Sequence, residues 1–308
     1  MQRGNIIIMI LHRQNILLAL LELFDGELSP ISFQKYLFLF MQECSFESDL
    51  YEFVPYRYGC FSFKANKDMR ALEKQGFVIE IDNGKIYKLQ GYGYIDALDM
   101  FEREQLFRFK KKFGTQTQNE LVRYVYINYP FFAIRSKMAK DVLTDEEYNN
   151  VQKFAEKFRK TEPTLFTIGY EGLSLEKYIM KLIKEDVHVL VDVRKNAYSM
   201  KYGFSKGILS KACENVCITY IHMPELGIES EFRKDLKTQE DYDSLFLQYE
   251  QTTLAKNKQQ LIALRHVVDE GGRIALTCFE KDFRQCHRSR IAKQLMLMPD
   301  VQYKLTHL

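Results

Sequence analysis

Between Arg13 and Phe24 the apolar residues Ile16, Leu17, Leu20, Leu21 and Phe24 recur at the spacing of one helical face, and the turn-forming run DGELSP then stops the helix. A second helix is predicted where Phe33, Tyr36, Leu37, Phe40 and Met41 share a face. The run FVPYRYGCFS, with its Pro and Gly, is expected to be irregular. A third helix is predicted from about Asn66 to Gln75, ending at Gly76. In FVIEIDNGKIYKLQ the apolar and polar positions alternate on both sides of Asn83-Gly84, which predicts a β-hairpin. Helix, helix, helix, hairpin is the order of a winged helix. Residues 99 to 160 read as helical and charge-rich, and the basic cluster REQLFRFKKKFG is expected to be a solvated helix face.

At Glu162-Pro163 the pattern changes, because Pro163 biases its predecessor out of helix. Four strand–helix units follow. TLFTIGY leads into SLEKYIMKLIKE, and HVLVDVR leads into a loop and the helix around KGILSKACEN. ITYIHM precedes a helical stretch from about Tyr242 to Glu270, and RIALTCFE leads into CHRSRIAKQLMLM. Short Val-, Ile- and Thr-rich runs alternating with helices predict a parallel sheet covered on both faces. The expected fold class is therefore α/β: an open, mostly parallel sheet of four or slightly more strands with helices on both faces, preceded by a mainly helical, winged-helix-like domain. The expected boundaries are 1–130 for the first domain, 131–163 for a helical linker and 164–308 for the α/β domain.

Ligands of such sheets sit outside the carboxyl ends of the strands. The four predicted strands end in Gly169-Tyr170-Glu171, Asp192-Val193-Arg194, His222-Met223-Pro224-Glu225 and Cys278-Phe279-Glu280. Any one of these ionisable groups has a structural explanation. Their gathering at one rim predicts a functional cleft, where coupled charges displace pKa values.

The other global properties narrow this picture. The chain has 308 residues, 46% of them hydrophobic and 28% charged, enough for two cored domains. Its net charge of +3 carries no argument for a nucleic-acid partner without local clustering. Six cysteines without a CxxC pair read as free thiols in a reducing compartment, so a cytoplasmic location is expected. His12, Arg13, Gln14 and Asn15 interrupt the apolar opening NIIIMILHRQNILLALLELF, so no membrane span is expected there.

The segment RIALTCFEKDFRQCHRSR, residues 273–290, concentrates the chemistry. Cys278 and Arg284 have the C-x5-R spacing of a phosphatase loop, but the loop lacks glycine, and Glu280 and Asp282 oppose an anionic substrate there. Cys278, Cys286 and His287 are candidate zinc ligands. Against this, Cys286 and His287 are adjacent, and a fourth ligand is in sight only as the distant His222, so no metal ligand is assigned. In a third reading, Cys286, His287 and Arg288 open the last helix. Its free amides, with Arg284 and Arg288, would then face the carboxylates as an anion seat.

Two resemblances join these readings. FQKYLFLFMQE, YEFVPYRYGCFSFKANKDMRALEKQGFV and LVRYVYINYPFFAIRS resemble the winged-helix-type domain of SocA-like (Panacea) antitoxin proteins over roughly residues 10 to 130, with Cys60 where the pattern usually has Pro. Such domains bind DNA or protein. The helix KANKDMRALEKQG carries four bases and two acids, so protein docking or a structural role is the stronger expectation. TIGYEG, VDVR, YGFSK, YIHMPELG and CFEKDFRQCHRSRIA resemble the DUF488 family over about residues 164 to 297. That resemblance implies an α/β domain with its motifs at the strand ends and supplies no established reaction. The matching positions are Tyr170, Glu171, Asp192, Arg194, His222, Glu225, Cys278, Glu280, Cys286, His287 and Arg288. Where the family commonly has Pro-x-Ser-Arg, this chain reads Ala197-Tyr198-Ser199-Met200, which removes one cation.

The expected function is hydrolysis or transfer on a nucleotide or nucleic acid, with a protein partner docking through the first domain. Asp192, Glu280, His287, Glu225 and Cys278 are the candidate catalytic residues; Tyr170, Glu171, Arg194, His222, Cys286 and Arg288 are the candidate substrate contacts. No cofactor is required, although Asp192, Glu225 and Glu280 also suit a divalent ion such as Mg²⁺. The rival expectation is a non-catalytic sensor that binds a small anion or DNA. A toxin–antitoxin component acting by protein contact is a third, which predicts an exposed apolar patch at the PYRYGCFS turn.

Overall fold

The first helical face forms α1 (His12–Leu23), buried without interruption from Ile16 to Leu21. After β1 (Glu27–Leu28), Ser29 accepts a hydrogen bond from Ser32 N, and Pro30 occupies the first position of α2 (Pro30–Glu43). The computed structural model describes residues 10–44, 50–229, 232 and 236–308; residues 5–9 of the apolar opening lie outside them. The chain divides into two compact units, Met1–Ala155 and Glu156–Leu308.

In the first unit the FVPYRYGCFS run is ordered, contrary to expectation. β2 (Val54–Tyr56) and β3 (Gly59–Phe61) form an antiparallel pair with Pro55 opposite Cys60, and the Tyr56 and Phe61 rings stack at 4.6 Å. A two-stranded ribbon tolerates Pro because only one ladder donor is lost. The turn closes because Gly59 adopts φ +92°, and a Cβ there would lie 2.6 Å from Tyr126 Cε1. Then come α3 (Phe63–Lys74), capped by Ser62, and the hairpin of β4 (Val78–Ile81) and β5 (Ile86–Leu89). β1 joins this hairpin in a three-stranded antiparallel sheet of order β1-β5-β4. Capping boxes begin α4 (Met100–Phe113) and α5 (Gln118–Asn128). They are followed by α6 (Ala139–Val142) and α7 (Asp145–Glu156), and Ala139, Leu143 and Val151 of the expected linker enter this unit's core.

Lys35 of α2 is buried, and its Nζ donates to the Cys60 carbonyl at 3.3 Å. Burial lowers its pKa. A cavity of about 250 Å³ lined by Ile31, Lys35, Tyr56, Tyr58 and Phe61 adjoins it. Lys35→Met is expected to stabilise this unit at pH 7 by about 1–3 kcal/mol. The sign with pH follows from the folded pKa lying below the unfolded value of about 10.4. Between the two, the unfolded chain binds more protons, so wild-type stability rises with pH across that window. Urea unfolding at pH 7 and pH 10 should show this rise in the wild type and a weaker one in Lys35→Met.

The second unit is α/β, as expected, and its sheet has five strands, within the expected four or slightly more. They are β6 (Thr164–Gly169), β7 (Val189–Asp192), β8 (Thr219–His222), β9 (Arg273–Cys278) and β10 (Lys304–His307), in the all-parallel order β10-β6-β9-β7-β8. β6 and β9 are buried along their whole length, as central parallel strands with both faces covered must be. The helices are α8 (Leu175–Lys184), α9 (Lys206–Glu214), α10 (Gln239–Tyr249), α11 (Lys258–Gly271) and α12 (Arg288–Met296). The helical stretch expected from about Tyr242 to Glu270 is present as α10 and α11, with a π-helical turn at Glu250–Leu254 between them. Residues of α10, α11 and α12 pack with Leu165, Val191, Ile274 and Leu276 in one core. On the opposite face Tyr178 of α8 donates to Thr277 Oγ1 at 2.7 Å. Among the described residues, no helix is long and apolar enough to cross a membrane.

Candidate functional site

All strands of the second unit run the same way, so their carboxyl ends share one edge. Strand pleat then sorts the side chains between two faces. Asp192 stands opposite Thr277 on one side and His222 on the other, so Cys278, the next residue of β9, projects to the opposite face. The expected single rim is therefore two clusters.

The first cluster lies on the side of α8 and α9. The buried Asp192 carboxylate accepts from Arg194 N (3.1 Å), Arg194 Nε (2.8 Å), Arg194 Nη2 and Tyr220 OH (2.6 Å). Arg194 Nη1 donates to Tyr170 OH and to the Phe204 carbonyl, both at 2.8 Å. Tyr170 stacks on Phe204 at 4.3 Å, and the guanidinium carbon lies 5.1 Å from the Tyr170 ring centre. Burial opposes the Arg194 charge, but the bonds to Asp192 and its charge prevail and the pKa is raised. Burial and then the Asp192 charge raise the Tyr220 pKa, which keeps that hydroxyl a donor. His222 Nε2 donates to the Arg194 carbonyl at 2.9 Å, and Lys206 Nζ lies 3.4 Å from its Nδ1.

The second cluster lies on the side of α10 and α12. Cys278, Cys286, His287 and Arg288 are all buried. Cys278 Sγ lies 3.3 Å from Glu280 Oε2 and 3.8 Å from His287 Nδ1, and Cys286 Sγ lies 4.0 Å from that Nδ1. His287 Nε2 is 2.9 Å from the Val193 carbonyl, which can only accept, so Nε2 carries the proton and Nδ1 is directed at the thiols. Burial, then the neighbouring Cys278, pushes the Cys286 thiol well up. Glu280 is half-buried, and with His287, Gln285, Tyr242, Leu245 and Phe246 it lines a cavity of about 90 Å³. Both clusters use the same stretch of chain, since Val193 sits between Asp192 and Arg194.

The remaining candidates stand apart. Glu171 is exposed, and its carboxylate accepts from Lys281 N at 2.9 Å. Glu225 is exposed, and its backbone carbonyl accepts from Asn257 Nδ2 at 3.0 Å. The two expected cleft cations are engaged locally. Arg284 folds back on Asp282 at 2.8 Å, and the hydrogen bonds from Arg284 lower the Asp282 pKa. Arg288 turns inward, its Nη1 on the Glu280 carbonyl at 2.6 Å and its Nη2 on the Lys281 carbonyl at 3.2 Å.

Asp192, Glu225 and Glu280 do not assemble as a carboxylate set for Mg²⁺, because Asp192 is taken up by Arg194 and Tyr220, Glu280 lies beside Cys278 in the other cluster, and Glu225 is exposed. Among the described residues, the metal-capable group is Cys278, Cys286 and His287, with ligand atoms all within 4.8 Å of one another. The adjacency of Cys286 and His287 does not prevent this. An extended Cys286 (φ −135°, ψ 134°) followed by a helical His287 (φ −59°, ψ −22°) brings both side chains to one point.

Sequence reasoning missed Tyr220 and Phe204. Tyr220 was accessible, being two residues before His222 on the same strand and hence on the same face. Phe204 belongs to the YGFSK motif, but its role depends on a loop that returns to Tyr170. No curated protein and no solved structure matches the chain. Residues 174–295, within the second unit, match the family described as Domain of unknown function DUF488 and are similar to it.

Proposed function

We propose that the second unit is an enzyme acting by hydrolysis or transfer on a nucleotide or a single strand of nucleic acid, with Glu280 as general acid/base. The observation that carries this reading is the half-buried Glu280 carboxylate, beside the Cys278 thiol and lining a cavity that His287 also lines. A small cavity with apolar walls such as Leu245 and Phe246 gives a proton-moving group its advantage over bulk water. The Asp192–Arg194 cluster acts here as a positioning element, since its groups are mutually satisfied. It holds Tyr170, whose ring meets the Phe279 ring at 5.3 Å. Phe279, Tyr198 and Met200 are exposed, and Lys195, Lys201 and Lys206 belong to the same post-β7 segment as the last two. The exposed rings of Phe279 and Tyr198, with Lys201 Nζ on the Tyr170 carbonyl at 3.0 Å, favour a base-bearing, anionic substrate.

The first unit fits a winged-helix-type docking role. The support is the order α1, β1, α2, α3, β4, β5, interrupted by the short β2–β3 ribbon between α2 and α3, and the cavity beside the partly exposed Tyr58. The second reading, a binding module without turnover, is favoured by the saturation of Asp192 and Arg194.

Glu280→Gln separates the two. The probes are single-stranded DNA and RNA oligonucleotides and nucleoside triphosphates, with products followed by mass spectrometry. The variant is expected to lose turnover by about 10²–10⁴-fold while oligonucleotide affinity changes only a few-fold. No product from the wild type would overturn the enzyme reading in favour of the binding module, and full turnover by the variant would overturn the acid/base role of Glu280.

A further inference from the structure

We propose that Cys278, Cys286 and His287 bind one zinc-type divalent ion, with an open coordination position toward the cavity bordered by Glu280. This goes beyond the enzyme reading and does not depend on the substrate. The first support is donor geometry. Bonds of about 2.3 Å to sulfur and 2.0 Å to nitrogen at tetrahedral angles require S···N separations of about 3.5 Å. The observed values are 3.8 and 4.0 Å, each within about half an ångström of that requirement, and all three ligand atoms lie within 4.8 Å of one another.

The second support is the orientation of the imidazole. A ligating histidine characteristically gives its other ring N–H to a carbonyl or carboxylate, which fixes tautomer and ring plane. His287 Nε2 does this with Val193 O at 2.9 Å, leaving Nδ1 toward the two sulfurs. The third is donor chemistry: two thiols and an imidazole select zinc over magnesium or calcium. Each thiol releases one proton to solvent on ligation, so the bound centre carries two thiolates and a neutral imidazole.

Three protein ligands with solvent access at the fourth position mark a catalytic rather than a structural zinc site. The cavity of about 90 Å³ touches His287 and Glu280 and has room for a water molecule. Glu280 is then placed to take a proton from a metal-bound water, a role for which it need not ligate.

The test uses the full chain, purified without chelator. Elemental analysis is expected to find about one zinc per chain. After exchange with Co²⁺, a thiolate-to-cobalt charge-transfer band and strong tetrahedral d–d bands should appear. Cys278→Ser, Cys286→Ser and His287→Ala should each lose or strongly weaken the band. Glu280→Gln should keep it, and Cys217→Ser, at an exposed cysteine, should leave it unchanged. Azide should shift the d–d bands by entering the open position.

Where a serine variant does not fold, the wild-type spectrum decides, since the charge-transfer intensity counts the thiolates. A cooperatively folding wild type with neither zinc nor a cobalt band overturns the proposal. So does a band that survives the combined Cys278→Ser/Cys286→Ser change, or one that azide does not move. None of these readouts uses turnover, so failure of the metal site and failure of the enzyme reading remain distinguishable.

Discussion

Asp192→Asn is expected to lower the unfolding free energy of the second unit by about 3–5 kcal/mol. The carboxylate takes four donors, three from Arg194 and one from Tyr220, and is wholly buried. Asparagine matches its size but places an NH₂ where an oxygen accepted, so donors face donors and the Arg194 charge loses its counter-ion in a dry environment. Most of the cost is that uncompensated guanidinium rather than the net worth of the pair. Asp192→Asn combined with Arg194→Met should therefore cost less than the sum of the single changes, with a coupling of about 2–3 kcal/mol. Urea unfolding of the four proteins measures it. A loss below about 1 kcal/mol in Asp192→Asn would place the pair in the range of solvated ion pairs and remove its positioning role.

Gly169→Ala is expected to cost about 2–4 kcal/mol and to abolish function at the site. A Cβ at this last residue of β6 would lie 1.8 Å from the Glu280 carbonyl oxygen and 3.1 Å from Lys281 Cα. Those are backbone atoms, and they are held in place: Arg288 binds both the Glu280 and the Lys281 carbonyls, while Glu171 receives the Lys281 N–H. Nothing at the contact is a flexible side-chain tip that could step aside. The 279–281 segment would have to move, and Glu280 with it. Gly207→Ala, where a Cβ meets open space in α9, is the control and should be neutral within about 0.5 kcal/mol. Thermal melts distinguish the two, and a Gly169→Ala protein that melts like wild type would refute the close approach.

The α/β class, four of the five strands and their ionisable ends were legible because hydrophobic runs and turn residues are local signals. β10 was not, since Lys304–His307 is short and two of its four residues are exposed, so its pairing with β6 depends on the sheet rather than on its own pattern. The candidate residues were legible as strand ends, but not their division. Which face a side chain takes depends on register, and the register between β7 and β9 pairs segments more than eighty residues apart, which no local pattern encodes. The opposite conversion happened at Cys286 and His287. Adjacency argued against a shared ion, and one extended residue before a helix start made the geometry available. In the first unit the Pro and Gly of PYRYGCFS were read as breakers, whereas the glycine builds the turn that lets a short ribbon form.

One peptide oxygen, that of Val193, joins two otherwise separate neighbourhoods: it holds the imidazole behind the sulfurs, and its flanking residues form the arginine–carboxylate pair. Mutational scores collected on either side of the sheet will consequently show epistasis with scores from the other, even for residues that never touch. A substitution that shifts the backbone of 192–194 is therefore expected to disturb both neighbourhoods at once.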